Sequence, residues 1–518
     1  MTDGTPEQTA RGPWTSRKKV IFLLLLAVAG VILLALACWV WSARGIDAQI
    51  AAELARYRAA GQPVDFADFD FPPVPDEENA AKLYMDAAKA LMIEGGLEEE
   101  VLGWRSAIAP EEMDLAKAIL DRNTEALALC RRARAMEKVD WQWRVGPMSG
   151  GAAVNYLRLS RRLGGLLVLA GAYHHRIGDD AAAMEYIRDA IALADALDEG
   201  PSVTHHLTSI SVAGLQIAAV EDILPDLRVS AGAGEAALRG GMPGQAAGRK
   251  QIEELIACLL DEAPRIARIQ RAYYAERAMY AYWITDASRV RRGPWWWFRY
   301  GLARPIFRRG MLRAIKMYTA LAEAAGRNDY HAAIPSVTYE EWRLEQLLSA
   351  VVPDIAAMIG SSMRTALKLD YQTKVRSRLA VVALAMKLYE ADHGRLIENL
   401  AELVPDYLPA VPVDPFDPNG GPVRYAPSAR WPVLYSLGPN GTDEGGAHGP
   451  DVESWRWQYD NYDIAFFVTD KRPPMPGSSQ SVTAPGATQP AGASGPSGPG
   501  PERGPSAGPS PTAGPQGD

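Results

Sequence analysis

Cysteine is scarce in this chain. Three residues in 518 cannot build a disulfide framework. Cys38 falls inside an apolar run, which leaves Cys130 and Cys258 for the body, where lone buried thiols are expected rather than a bridge. A strong excess of one charge is missing too. The net charge of −8 is mild and spread along the chain, which argues against nucleic acid as the main partner. No HExxH, CxxC or P-loop sequence occurs, so these signatures of metal, redox and nucleotide chemistry are absent. Valine–threonine alternation is rare before residue 361, which excludes a large sheet there. After residue 40 no long uncharged apolar run recurs.

The one such run is Val20 to Val40, VIFLLLLAVAGVILLALACWV. At a helical rise of 1.5 Å it spans roughly 31 Å, the thickness of a hydrocarbon core. Arg11, Arg17, Lys18 and Lys19 precede it and only Arg44 follows closely, so the positive-inside bias places residues 1–19 in the cytoplasm and the body outside it. Trp39 and Trp41 suit an interfacial belt. An uncleaved signal anchor in the inner membrane is expected. The alternatives are a cleaved signal peptide, disfavoured by the run length, and a lipoprotein lipidated at Cys38 behind a weak lipobox, Ala35-Leu36-Ala37.

Beyond the span (20–41), residues 42–78 read as a linker. A short helix over 43–60 leaves the membrane, and a proline-rich acidic strap follows at 61–78. Hydrophobic content of 48% supports a real core. From 79 to 361 the pattern predicts an all-α domain rich in Ala, Leu, Arg and Glu. Its clearest unit is a helix pair, Ser160–Ile177 and Asp180–Leu197, joined at Gly178-Asp179. Gly171, Gly178, Ala183, Ile187 and Ala190 have spacings that resemble a single tetratricopeptide unit; an ordinary αα-hairpin fits as well. Residues 228–248 are glycine-rich and read as a loop. Helix resumes at about Gln251 and runs through Tyr273–Trp283.

Residues 289–316 combine aromatic and basic side chains without an acid. One reading is a membrane-interface segment, with Trp295, Trp296, Trp297 and Phe298 in the headgroup layer and Arg291, Arg292, Arg299, Arg304, Arg308 and Arg309 on lipid phosphate. The other is a loop that plugs the bundle while its arginines pair with acids elsewhere. His174-His175 and His205-His206, with Glu185 between, can be imagined as a metal cluster. Neighbouring helical residues point about 100° apart, so surface or groove histidines are favoured. Trp141 and Trp143 suit core packing or a groove.

A long amphipathic helix follows over 362–391. Leu367, Tyr371, Val375, Leu379, Val382, Met386 and Tyr389 form its apolar stripe; Lys368, Lys374, Arg378 and Lys387 fall on other faces. Gly394 suits a C-cap. A proline-ruled loop comes next, then short strands at VRYAP and VLYSLG, and the polar loop SLGPNGTDEGG. Residues 471–518 are Pro, Gly, Ser, Ala and Thr and are expected to be disordered.

From about Ala380 to Trp455 the motif order resembles the globular head of the type II secretion major pseudopilin. The carrying residues are Leu388-Tyr389-x-x-Asp392-x-Gly394-Arg395, Leu403-Val404-Pro405, Tyr407-Leu408, Val411-Pro412-x-Asp414-Pro415-Phe416, Arg424-Tyr425, Tyr435-Ser436-Leu437-Gly438, Asn440-Gly441 and Asp451-Val452-x-x-Trp455. The resemblance implies a small α+β module over 362–470. It also implies calcium, held by the Leu437 carbonyl, Asn440, Asp443 and Asp451, although a solvated turn reads equally well. The apolar run ends at Val40, far upstream of this helix. The expectation is therefore a pilin-like head reused as a module.

The sequence thus leads to a mainly α protein with a single N-terminal transmembrane helix, an all-α body, a small α+β module and a disordered tail. Its expected role is a non-enzymatic, membrane-anchored envelope scaffold with protein partners, no nucleic acid and an unknown ligand. The alternatives are a structural part of a secretion or pseudopilus apparatus, and an envelope enzyme with its site in the helical body.

Overall fold

A helix needs uninterrupted helix formers, and from Ser16 to Ala59 only glycine, tolerated inside helices, interrupts them. In the computed structural model this stretch is one helix, α1 (Ser16–Ala59), of 44 residues or about 66 Å. The structure describes residues 16–96, 108–146, 153–230, 245–285, 304–336, 355–427, 432–446 and 462–469. The sequence reading had a separate short helix beginning at 43. Here the apolar run passes into it without a break. From Val20 to Leu36 the large apolar side chains are exposed, and this half of α1 is apolar and long enough to cross a membrane. About two turns further on, exposure vanishes at Ala43, Ile46, Ile50, Leu54 and Tyr57. These residues recur every three or four positions and form one helical face. They dock on α10 (Arg304–Ala325). Asp47 accepts from Arg304 at 2.9 Å and from Arg308, and Lys316 lies 3.2 Å from Glu53.

Gly61, at φ +73°, ends the helix and starts the strap. The strap runs over the bundle as expected, with short 3-10 turns at Phe66–Phe69 and Asp76–Glu78. Arg277, fully buried on α9 (Ala263–Thr285), pins it. Its guanidinium donates to Gln62 at 2.6 Å, to the Pro63 carbonyl at 2.7 Å and to Thr319 at 2.8 Å, and stacks on Tyr57 and Tyr274.

The first core gathers α2 (Ala80–Ala90), α3 (Met113–Arg122), α4 (Thr124–Arg134), α5 (Ala153–Arg176), α6 (Asp180–Asp198) and part of α7 (Val203–Ile223). The α5–α6 pair is the hairpin read from the sequence. Gly178 takes φ +82° at the join, and a Cβ on Gly171 would stand 3.4 Å from the Ala183 carbonyl oxygen. Such close approach is what a small residue permits. Helix α7 is also long and apolar enough to span a membrane, but most of it is buried inside the protein. Helix resumes at α8 (Arg249–Leu260) and breaks at Asp261-Glu262 before α9, where the sequence suggested continuity. Within the glycine-rich stretch, β1 (Val229–Ser230) and β2 (Ala247–Gly248) pair in parallel, a small exception to an all-α reading.

The second core has α12 (Ile355–His393) at its centre. Every residue from Leu379 to Met386 is fully buried. Helices α7, α8 and α10 cover one side of α12, and an antiparallel sheet of β3 (Arg424–Ala426), β4 (Val433–Ser436) and β5 (Ile464–Phe467) covers another. Leu434 pairs with Phe466 and both face α12, while Val433, Tyr435 and Phe467 form an apolar patch on the far face. Leu403, Leu408 and Phe416 join the same core as Ile217 and Met311. The segment expected as a separate module therefore shares its interior with the helical body. Asp451, the tail and the Trp295–Trp297 segment lie outside the described residues.

The docking of α1 predicts that Ile50→Ala and Leu54→Ala each destabilise the protein by about 2–4 kcal/mol. Leu24→Ala, on the exposed half, leaves the midpoint unchanged. Denaturant unfolding of the detergent-solubilised chain checks both.

Candidate functional site

A helix buried on several sides cannot point its charges at solvent, so they need partners. On α12, Asp370, Lys374 and Arg378 follow one another at i, i+4 and share a face. All three are buried. Lys374 and Arg378 fall outside the apolar stripe, and α8, α9 and α10 cover them all the same. Arg378 makes a two-pronged contact with Glu262 at 2.7 and 2.6 Å and donates to the Val413 carbonyl at 2.7 Å. Glu262 lies at the α8–α9 corner and Val413 in the C-terminal loop, so one guanidinium ties the two regions together. Lys374 reaches only two carbonyl oxygens, Ala325 at 3.4 Å and Arg327 at 3.5 Å, and sits over the Tyr371 ring. Burial pushes its ammonium pKa down, against the pull of Asp370.

Asp370 stands 3.2 Å from Arg265 and 3.4 Å from His206 Nε2. On its other side His206 Nδ1 donates to Asp198 at 2.6 Å. Burial alone would push the imidazolium down, but Asp198 and Asp370 outweigh it and raise the pKa to about 9. Burial likewise opposes the Asp370 carboxylate, yet His206 and Arg265 hold it well below the usual range.

Beside this ladder a pocket of about 60 Å³ opens between α6, α7, α8, α9 and α12. Cys258 and Asp261 are exposed at its mouth, and Gln216, Asp370 and Lys374 are buried at its floor. Gln216 Oε1 is buried without a hydrogen-bond partner. Asp195 lies deep among the helices yet is 48% exposed, because it faces this space. Burial raises its pKa and Arg268, 3.3 Å away, opposes the rise. Asp195 also lines a wider cleft of about 440 Å³ with Tyr84, Arg134, Lys138, Glu199 and Arg268.

The four histidines and Glu185 do not converge. His174 lies 3.7 Å from Asp179, His175 binds Asp180 at 2.7 Å, and His205 binds Ser202 at 2.6 Å and Tyr156. Glu185 is held by Arg134 and by Gln251 at 3.0 Å. Among the described residues no group of three or more His, Cys, Asp or Glu is arranged to hold a metal. Trp141 packs in the first core, stacked with Tyr84 and Tyr156 and donating to the Ala196 carbonyl at 2.7 Å. The three cysteines are free thiols.

In the C-terminal loop the buried Asp414 organises the backbone. It accepts from Phe416 and Leu437 N–H at 2.9 Å each and from Ser436 Oγ at 2.8 Å. Of the positions implied as calcium ligands, Asn440 donates to Glu444 at 2.8 Å and accepts from Thr442 N–H at 3.1 Å. Asp443 accepts from Gly445 N–H at 2.9 Å and lies 3.3 Å from Arg424. A guanidinium thus already supplies positive charge there. Burial and then Glu444 raise the Asp463 pKa to about 7. Of the interface candidates, Arg291, Arg292, Trp295, Trp296, Trp297, Phe298 and Arg299 lie outside the described residues. Arg304 and Arg308, which follow, meet Asp47 instead of lipid phosphate, and Arg309 meets Ser42 at 3.3 Å.

No family model, curated protein or solved structure matches the chain.

The His206 cluster predicts a pH profile. With a native pKa of about 9 against 6.5 in the unfolded chain, its contribution is complete below about pH 6.5 and is lost as pH rises through 9. Unfolding stability should fall across that window by on the order of 1–3 kcal/mol, and His206→Gln should flatten the fall. A flat wild-type profile between pH 6.5 and 9 contradicts the assignment.

Proposed function

We propose that the chain is a membrane-anchored, non-enzymatic interaction scaffold of the cell envelope, with residues 1–19 cytoplasmic and the body on the extracytoplasmic side. The observation that carries this reading is the continuity of α1. One helix is exposed and apolar through Leu36, then joins the core at Ala43 with no intervening loop. A body so attached is held close to the lipid surface in one orientation, which suits a platform for protein partners more than a domain on a flexible leash. The basic residues before the span support the orientation.

The resemblance of 380–455 to a pseudopilin head favours a second reading, a structural part of a secretion apparatus. The packing of α12 speaks for a captured module instead. Assembly through the side of α12 that its sheet leaves open would meet α7, α8 and α10, which pack on α12 here. Assembly through it would require the body to peel away. Against the enzyme reading, Asp370 and Glu262 of the pocket lining are engaged by Arg265 and Arg378.

Topology and role are both testable. Cys258 is exposed on the body and Cys38 lies in the apolar run. A membrane-impermeant maleimide should label Cys258 in intact spheroplasts, before lysis. Labelling only after lysis would place the body in the cytoplasm. Crosslinking in intact cells should then yield a defined envelope-protein adduct that disappears when 20–40 is replaced by a cleavable signal.

A further inference from the structure

The strap carries a run of prolines on the body's surface. Pro72, Pro73 and Pro75 keep φ at about −65°, and Phe71, Pro72 and Val74, each standing before a proline, are turned away from helical backbone. Asp70 at φ −81°, ψ 115° and Pro75 at φ −56°, ψ 143° agree. Residues 71–75 therefore form a short polyproline II helix, in which every third residue shares an edge. The edge of Phe71 and Val74 turns toward the body: Val74 is half-buried and lines the cleft beside Tyr84, and Arg271 lies over the Phe71 ring at 5.7 Å. The other two edges, Pro72 with Pro75 and Pro73 with Asp76, are exposed, and Phe71 itself stays 57% exposed. Both ends are fixed. Phe69 is buried against Ala275 and Ala278, and the buried Asn79 donates to the Asp140 carbonyl at 2.7 Å. A segment held this way has little freedom left to lose on binding. Its charge is one-sided: Asp70, Asp76, Glu77 and Glu78 flank the prolines with no base among them. Glu78 meets Lys138 at 2.5 Å, whereas Asp70, Asp76 and Glu77 form no ion pair with a described residue.

We propose that residues 71–77 are the docking ligand for a partner protein whose groove is lined by aromatic side chains and rimmed by lysine or arginine. This rests on the scaffold reading and names the chemistry of the partner. Aromatic-lined grooves take up proline edges in the polyproline II form. Pro72 and Pro75 stand about 9 Å apart along one edge and fill two neighbouring slots. Phe71 adds an apolar contact at the N-terminal end. The basic rim meets Asp76 and Glu77, and the same acids turn away an anionic lipid surface or an acidic protein.

Photocrosslinking in intact cells tests this on the full chain. The probe is p-benzoylphenylalanine in place of Pro73 and, for reference, in place of Glu125, exposed on α4. Position 73 should give one discrete adduct, and the crosslinked peptide should place it beside tryptophan or tyrosine in a partner region of net positive charge. Asp76→Lys with Glu77→Lys should cut the yield at least tenfold, and so should Pro72→Ala with Pro75→Ala. Lys117→Ala, exposed on α3, should change it less than twofold. If the proline variant lowers the melting temperature, the charge reversal, confined to exposed side chains, decides. No adduct at position 73, an adduct of two copies of this chain, a crosslink to a region without aromatic residues, or a yield unchanged by the charge reversal would overturn the proposal. Adducts at 125 with none at 73 would leave the scaffold reading standing; adducts at neither position would remove both.

Discussion

Burial of α12 on nearly all sides is the constraint from which the rest of the structure follows. A helix with one apolar stripe can lie on a surface, whereas one that is fully buried from Leu379 to Met386 must run through a core. Its charged residues then become interior groups. Each buried charge left alone would cost several kcal/mol, so Asp370 and Arg378 have ionic partners on neighbouring elements. The pocket arises at the same place, because side chains chosen to satisfy charge do not interlock as apolar ones do. Through Arg378 and the shared apolar interior, the helical body and the strands β3–β5 behave as one unit, whatever their origins.

That unit is joined stiffly to the exposed apolar half of α1. Ala43, Ile46, Ile50, Leu54 and Tyr57 bury one face of α1 against α10, and Asp47 sits between Arg304 and Arg308. The ion pairs are partly exposed and contribute modestly. The apolar face does most of the holding, and the pairs fix which helix it meets. Arg277, pinning the strap, locks the end of α1 in place. The body is therefore held at a fixed distance from the exposed apolar half of α1.

Much of this was legible in the sequence where local chemistry decides structure. The apolar N-terminal helix, the α5–α6 hairpin with its Gly178 join, the strap, the Gly394 cap and the strands at Arg424–Ala426 and Val433–Ser436 all carry local signals, and all formed. What escaped depends on tertiary cover. Lys374 and Arg378 look like solvated charges until α8 and α10 close over them; the clue was their i, i+4 register with Asp370, an acid followed by two bases on one face. The sequence reading has a separate short helix over 43–60, yet only Gly45 interrupts the run there, and one glycine costs a helix only about 1 kcal/mol. β5 is four apolar residues, too short to tell from a buried loop until Leu434 pairs with Phe466. The pocket has no sequence signature, because Asp195, Gln216, Arg265 and Lys374 come from four helices.

Native-state hydrogen exchange on the intact chain tests most directly whether the interior is undivided. Amides from Ala380 to Met386 and in β4 and β5 should exchange only through the same global opening that releases α7 and α10, with one common free energy. Exchange of β3–β5 together with the end of α12 at a lower free energy, while α7 and α10 stay protected, would mean a separable module and would contradict the account.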